Sequence, residues 1–286
     1  MGVILSQFLF FIATKSKIIE NRVFNFINSL KIVSKQIIYE LPLNERIRTV
    51  LRLEFLFQQT LYSIRGVSIW DSRNTISSLL EMLNIVSRID LRNELSKELQ
   101  RQKKSIEALA SIPGVNIDIL QQTIASLNNC LYDLNTAANN SEQEAPNDFL
   151  KTIQQRESIP GGTCDFDMPI YHHWLTRPAE ERIRTLENWL NKFEHYHNSI
   201  RLIMKNLRDS AVFKVLQAKD GFYQQSLDSK SPYQLIRVSL PEQANYYAEL
   251  SGGKHRFSIR FMTPDMESKT SPRLESTEFS LACCIL

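Results

Sequence analysis

Cysteine, glycine and proline are all scarce in this chain of 286 residues, at four, eight and ten. So few glycines and prolines exclude a fibrous or low-complexity chain. Cys130, Cys164, Cys283 and Cys284 give no spaced disulfide framework, and adjacent Cys283 and Cys284 cannot bridge without strain. Free thiols in a reducing compartment are the expectation. Excess charge is also lacking. The net charge is +3, and residues 1–32 account for all of it, with Lys15, Lys17, Arg22 and Lys31 against Glu20 alone. Global basicity is therefore no argument for nucleic-acid binding, and any anion-seeking surface must be local. Long apolar runs are missing too. Val3–Ala13 (VILSQFLFFIA) is about half the length of a bilayer-spanning helix, and its basic residues follow rather than precede it, unlike a signal peptide. A peripheral amphipathic anchor built on Phe24, Phe26, Ile27 and Leu30 is the membrane-related reading of this segment.

What remains is ordinary for a folded globular chain: 43% hydrophobic and 23% charged residues. Residues 43–61 read as a helix capped by Asn44, with Glu45 in its first turn and Ile47, Val50, Leu51, Phe55 and Leu61 on apolar faces. A second helix is expected from Asn74, with Leu91, Leu95 and Leu99 continuing its spacing until Ile112-Pro113-Gly114 stops it. A third spans Asp118 to about Asn135, and 135–148 (NTAANNSEQEAPND) reads as a polar linker. The longest helix is announced by Thr176 and Pro178. Ile183, Leu186, Leu190, Phe193, His197, Ile200, Met204 and Leu207 form a heptad seam along it. Each buried apolar member contributes about 1.5–3 kcal/mol before entropy is counted.

After Ser210 the period changes from helical to alternating. Asp220-Gly221 reads as a hairpin turn between 213–216 and 221–225. Residues 235–240 alternate as a half-buried strand should, 246–250 and 255–262 bracket a Ser251-Gly252-Gly253-Lys254 turn, and 278–284 is a final strand. A helical body followed by antiparallel strands is the α+β class. The domain reading is a helical domain over 33–157, completed by the helix 178–209, and a β-rich domain from 158–177 and 210–286.

Candidate chemistry is thin. His172 and His173, beside Cys164, Asp165 and Asp167, diverge by about 100° on a helix, unlike an i, i+4 zinc pair. His195 and His197 diverge likewise, and His197 reads as a seam histidine with a satisfied hydrogen bond. Gly161-Gly162 lacks the rest of a phosphate loop and reads as a sharp turn into a strand over Cys164–Met168. No metal or cofactor site is expected. Cys283-Cys284-Ile285-Leu286 formally fits a prenylation box, although the paired cysteines read better as the tail of a strand.

Several strings in consistent order resemble the ZapD family of FtsZ-ring-associated proteins: YELPLNERIRTVLRLEFLFQQ (39–59), ELSKELQRQ (94–102), SIPGGTCDFDMPIYHHWL (158–175), GFYQ (221–224), RFSIRFM (256–262) and FSLACC (279–284). The resemblance covers about 33–284. It implies a cytoplasmic homodimer of helical and β-rich domains, without catalytic residues or cofactors. Such proteins bind the C-terminal peptide of FtsZ and bundle its filaments at the mid-cell division ring. It also implies that residues 1–32 are an extension of doubtful translation, with initiation at Val33. The alternative is a membrane-peripheral or exported interaction protein that uses 1–32. Nucleic acid and integral membrane association are not expected.

The resemblance places the partner surface on cations of the helical body. Arg48, Arg52, Arg88 and Arg92 match arginine positions of the family, His172 matches a position near them, and Arg101 and Lys104 extend the patch. Acidic Glu142, Glu144 and Asp148 stand where a basic contribution is expected. Exposed ion pairs contribute roughly 0–1 kcal/mol each, so apolar contacts must add to the arginines for a peptide to be held.

Overall fold

The computed structural model describes residues 36–138, 147–265 and 270–286. The expectations for 1–32, for Val33, and for Glu142 and Glu144 lie outside them. Eight α-helices and eight strands are described, which makes the chain α+β. They are β1 (Gln36–Pro42), α1 (Glu45–Ser63), α2 (Ile69–Arg88), α3 (Leu91–Glu107), α4 (Ile117–Ala138), α5 (Asp148–Glu157), α6 (Pro169–Leu175), α7 (Ala179–Asn191), α8 (Glu194–Asp209), β2 (Lys214–Ala218), β3 (Phe222–Ser226), β4 (Leu235–Pro241), β5 (Tyr247–Gly252), β6 (Arg256–Thr263), β7 (Ser271–Pro272) and β8 (Thr277–Cys284). The chain divides into two units. One holds the described residues up to 49 together with 104–123 and 204–286; the other holds 50–103 and 124–203.

The first unit is built on two antiparallel sheets, of order β1-β4-β8-β2 and β3-β6-β5, with β7 added to β6. In the second sheet Phe257, Ile259 and Phe261 alternate inward and are fully buried, while Arg256, Ser258 and Arg260 face outward. Ile236, Val238 and Leu240 of β4 and Phe279 and Leu281 of β8 close the core from the first sheet. The rings of Phe261 and Phe279 meet with centroids 5.2 Å apart. Strand β4 is central and buried along nearly its whole length rather than half-buried. On its outward side Arg237 donates to Glu40 of β1 at 2.9 Å, and Arg208 of α8 donates to both oxygens of the same carboxylate at 2.9 and 2.8 Å.

The expected hairpin at Asp220-Gly221 is corrected. The turn is present, with positive φ at both residues (51° and 64°), and a Cβ on Gly221 would meet the Arg273 carbonyl oxygen. Its two strands part, however: β2 pairs with β8 and β3 with β6, so the turn carries the chain from one sheet to the other. The hairpin β5–β6 forms as expected, with Leu250 opposite Ile259. Strand β1, not foreseen, pairs with β4, Tyr39 opposite Val238. The Cys283–Leu286 end belongs to the fold. Cys283 lies opposite Ile236, Cys284 is fully buried, and the Ile285 amide donates to Ser210 Oγ. Burial raises the two thiols to about 11 and about 12, so neither is a thiolate near neutral pH.

The second unit is helical. Leu53, Leu79, Leu80, Met82, Leu95, Leu99, Leu127, Leu134 and Ile200 are essentially inaccessible. Helix α1 starts as expected, the Ile47 amide donating to Asn44 Oδ1 at 3.0 Å. Helix α2 starts at Ile69, not Asn74, because Ser68 and Asp71 form a reciprocal capping box. It also ends at Arg88. Ile89 turns extended and Asp90 caps a new helix through the Asn93 amide, so Leu91, Leu95 and Leu99 belong to α3. The expected long helix over 178–209 is likewise two, α7 and α8, broken at Lys192–Phe193 while the apolar spacing runs on. Cys164–Met168 is not a strand. Its amides close back on Gly161 and Cys164 carbonyls in successive turns, so 158–177 carries one short helix and belongs with the helical unit. Residues 36–49 and 104–123, expected in the helical domain, belong with the sheets. The polar linker is shorter than expected, since α4 reaches Ala138 and α5 starts at Asp148 with Asn147 as its cap.

Candidate cationic face and groove

Each expected cation has a definite environment. Arg48 Nε donates to Glu45 Oε1 at 3.0 Å in an exposed ion pair, which is weak and readily exchanged. Arg52, one turn on, is exposed and makes no hydrogen bond or ion pair with a described residue. Exposed Phe55 (63%) and Tyr62 (84%) continue the Arg52 stripe along α1. Arg88 and Arg92 do not repeat a helical spacing. Arg88 closes α2, exposed and without a partner among described residues, whereas Arg92 stands half-buried and engaged in the first turn of α3. Arg88 also complements the negative end of its helix. Arg101 is committed to structure, its guanidinium donating to both oxygens of fully buried Glu98, which also accepts from Gln102. Lys104 is exposed without a described partner. Arg48 and Lys104 belong to the first unit; Arg52, Arg88, Arg92, Arg101 and His172 belong to the second. Asp148 pairs with Lys151 at 3.4 Å.

His172 sits on α6, a helix of seven residues fixed by aromatic packing. Tyr171 and Trp174 on either side of it stack at 6.2 Å, and both rings meet Phe149 of α5. Trp189 of α7 stacks on Trp174 at 6.0 Å. His172 Nδ1 meets Asp165 Oδ1 at 3.1 Å, and the same oxygen accepts from Arg73 at 3.1 Å. Arg73 also donates to the Thr163 carbonyl at 3.0 Å, and its guanidinium lies 4.7 Å from the Tyr171 ring centroid and 5.7 Å from that of Trp70. Burial, partly offset by Arg73, raises the Tyr171 hydroxyl to about 12. Two concavities of about 420 and 500 Å³ meet along Trp70, Arg73, Gly161 and Thr163, and His172 lines the smaller.

His197 is half-buried, 4.8 Å from the Phe57 ring; burial, then the charge of Arg201, hold it below the usual histidine range. No three His, Cys, Asp or Glu side chains among the described residues could share a metal ion, and no described helix is long and apolar enough to cross a membrane. Two cations absent from the expected set, Arg256 and Arg260, stand on the outward face of β6, exposed and without described partners. The alternation in RFSIRFM is the signal that marks them.

Fold and surface together define a two-unit α+β protein that carries a groove and exposed cations without a partner among the described residues. A family model described as "Cell division protein", ZapD, matches residues 51–260. A cell division protein ZapD of Methylococcus capsulatus is 38% identical over 265 residues, covering 89% of this chain and 100% of that one. Those of Coxiella burnetii and an Enterobacter species are 36% and 34% identical, each covering 88% of this chain and 99% and 100% of their own lengths. The chain belongs to the ZapD family of cell division proteins.

Proposed function

We propose that this protein is a non-enzymatic, cytoplasmic cross-linker of the division ring, which binds the C-terminal tail of FtsZ and, as a homodimer, joins filaments. The observation that carries the reading is that Arg52 and Arg88 stand exposed and without a partner among the described residues, in a member of a cell-division family. An exposed guanidinium without a carboxylate loses little hydration on meeting one and needs no existing pair to break. Arg48, whose pair with Glu45 is weak, stands one turn before Arg52 on the same helix. Arg92 and Arg101 are held by the fold and act as positioning cations. Tail binding is weak per site, because exposed charges contribute little each. Two sites on a dimer gain avidity from many tails on a filament.

The test is sedimentation of FtsZ filaments with the protein. Bundles pellet with intact FtsZ, fail to form with tail-less FtsZ, and dissolve as salt rises from low to a few hundred millimolar. The double substitution Arg52→Glu and Arg88→Glu reduces pelleting at least tenfold with an unchanged melting profile. Bundling of tail-less filaments, or by the double variant, overturns the reading.

A further inference from the structure

Helix α4 is the longest of the described helices, at 22 residues, and between Ile117 and Ala138 it carries no lysine, arginine or histidine. Its only charges are Asp118 and Asp133. Helices α1, α3 and α8, by contrast, carry ion pairs along their exposed sides, Arg48 with Glu45, Lys97 with Glu94 and Lys205 with Asp209. On the part of α4 that belongs to the second unit, Ala125, Asn128, Asn129, Tyr132 and Thr136 are exposed or nearly so. Tyr132 is 70% exposed. Neither its hydroxyl nor the amides of Asn128 and Asn129 have a hydrogen-bond partner among the described residues. A face stripped of charge around an exposed tyrosine has the composition of the centre of a protein–protein contact, not that of a solvated helix.

The pattern on this face selects its occupant. Ala125 and Tyr132 are seven residues apart, so they share one stripe of the helix about 10 Å apart, with Asn128 and Asn129 on either side of the midpoint. Such an order is unchanged when the helix is turned end for end about a two-fold axis at 128–129. A second α4 laid antiparallel on the first sets Tyr132 over the partner's Ala125, the bulkiest side chain of the stripe against the smallest. At the centre Asn128 faces the partner's Asn129, and the two amides can each donate and accept. Every contact then occurs twice, which is the isologous pattern of a two-fold dimer. An asparagine in the middle of a helix–helix seam also fixes its register. Asp133 lies about 100° round the helix from Tyr132, at the rim, so no carboxylate is trapped. An acidic peptide finds no cation on this face, and a basic one finds only that rim carboxylate.

We propose that the exposed face of α4 over 125–136 is a contact between two copies of this chain, an antiparallel helix pair about a two-fold axis at Asn128 and Asn129. This rests on the proposed homodimer and leaves Arg52 and Arg88 to the tail. The experiment is sedimentation velocity of the full chain, with melting profiles as the check on folding. The wild type sediments as a dimer. Asn128→Lys with Asn129→Lys gathers four ammonium groups at the axis and gives a monomer with an unchanged melting profile. Its affinity for a labelled FtsZ tail peptide stays within about twofold of wild type, because valency and not the tail site is lost. Asn128→Asp with Asn129→Lys sets each new carboxylate against the partner's ammonium and restores the dimer, a reversal that damage to the fold would not show. If the double-lysine variant remains a dimer, the α4 contact falls and the cross-linker reading stands. If both double variants are monomers, the antiparallel register is overturned. If the double-lysine variant stays dimeric but no longer binds the tail peptide, the face belongs to the tail site and the proposal is overturned. If the wild type is a monomer at every concentration, the homodimer reading itself falls, and the α4 contact with it.

Discussion

The most informative single residue for stability is Glu40. Burial alone would raise its carboxyl, but the hydrogen bonds and charges of Arg208 and Arg237 outweigh this and hold it below the usual carboxylate range. A depressed folded-state pKa means that its contribution is fully present above the unfolded value and is lost as pH falls through the folded one. Melting temperature should therefore drop on the acid side of about pH 4.5, and Glu40→Gln should flatten that part of the profile. At neutral pH Glu40→Gln leaves two guanidinium groups, each with less than a third of its side chain exposed, facing an uncharged amide, at a cost of about 3 kcal/mol. Thermal melts from pH 3 to 8 of both proteins check this, and equal acid sensitivity would dismiss the role.

Among the elements, α2 is the one whose limits matter most, because its capping box stands two residues before Trp70. Ser68→Ala removes the acceptor for the Asp71 amide and should cost about 1 kcal/mol in denaturant unfolding, with hydrogen exchange faster at 69–72 than in the rest of the helix. The elements show how far residues alone could be read. Asn44 before an apolar repeat marked α1, and the alternation in RFSIRFM marked β6, since both signals are local. The breaks after Arg88 and at Lys192 were hidden because Leu91, Leu95, Phe193 and Ile200 keep the apolar period across them. Strand β1 was missed because its partner lies roughly two hundred residues away, Tyr39 opposite Val238. Arg48, Arg52 and Arg101 were legible as candidates, one at a time, through the family strings that contain them. Which of them is spent on the fold was not, since Arg101 with Glu98 and Arg52 with no partner among the described residues read alike in sequence. The groove was illegible for a different reason. Its walls come from α2, α5, the turns at 159–165 and α6, and only tertiary packing assembles them.

At the scale of the whole molecule, cross-linking and binding separate. If the proposed function holds, a substitution that makes the proposed dimer monomeric leaves single-tail affinity within about twofold, as read by anisotropy, yet abolishes filament pelleting, because the loss falls on valency and not on the site. Pelleting by a monomer at wild-type stoichiometry would show that one chain carries both grips. The pairing of β1 with β4 has a further outcome for how the chain is made. The strand leaves the ribosome early and must stay unmated while the intervening helical stretch is synthesised, which at roughly 5–20 residues per second takes on the order of 10–40 s. Exposed Ile37 and Ile38 make that waiting segment sticky. The helices can mature while nascent, but the sheet of β1, β4 and β8 closes only once β8 has been made, which leaves β1 open to holding chaperones in the interval.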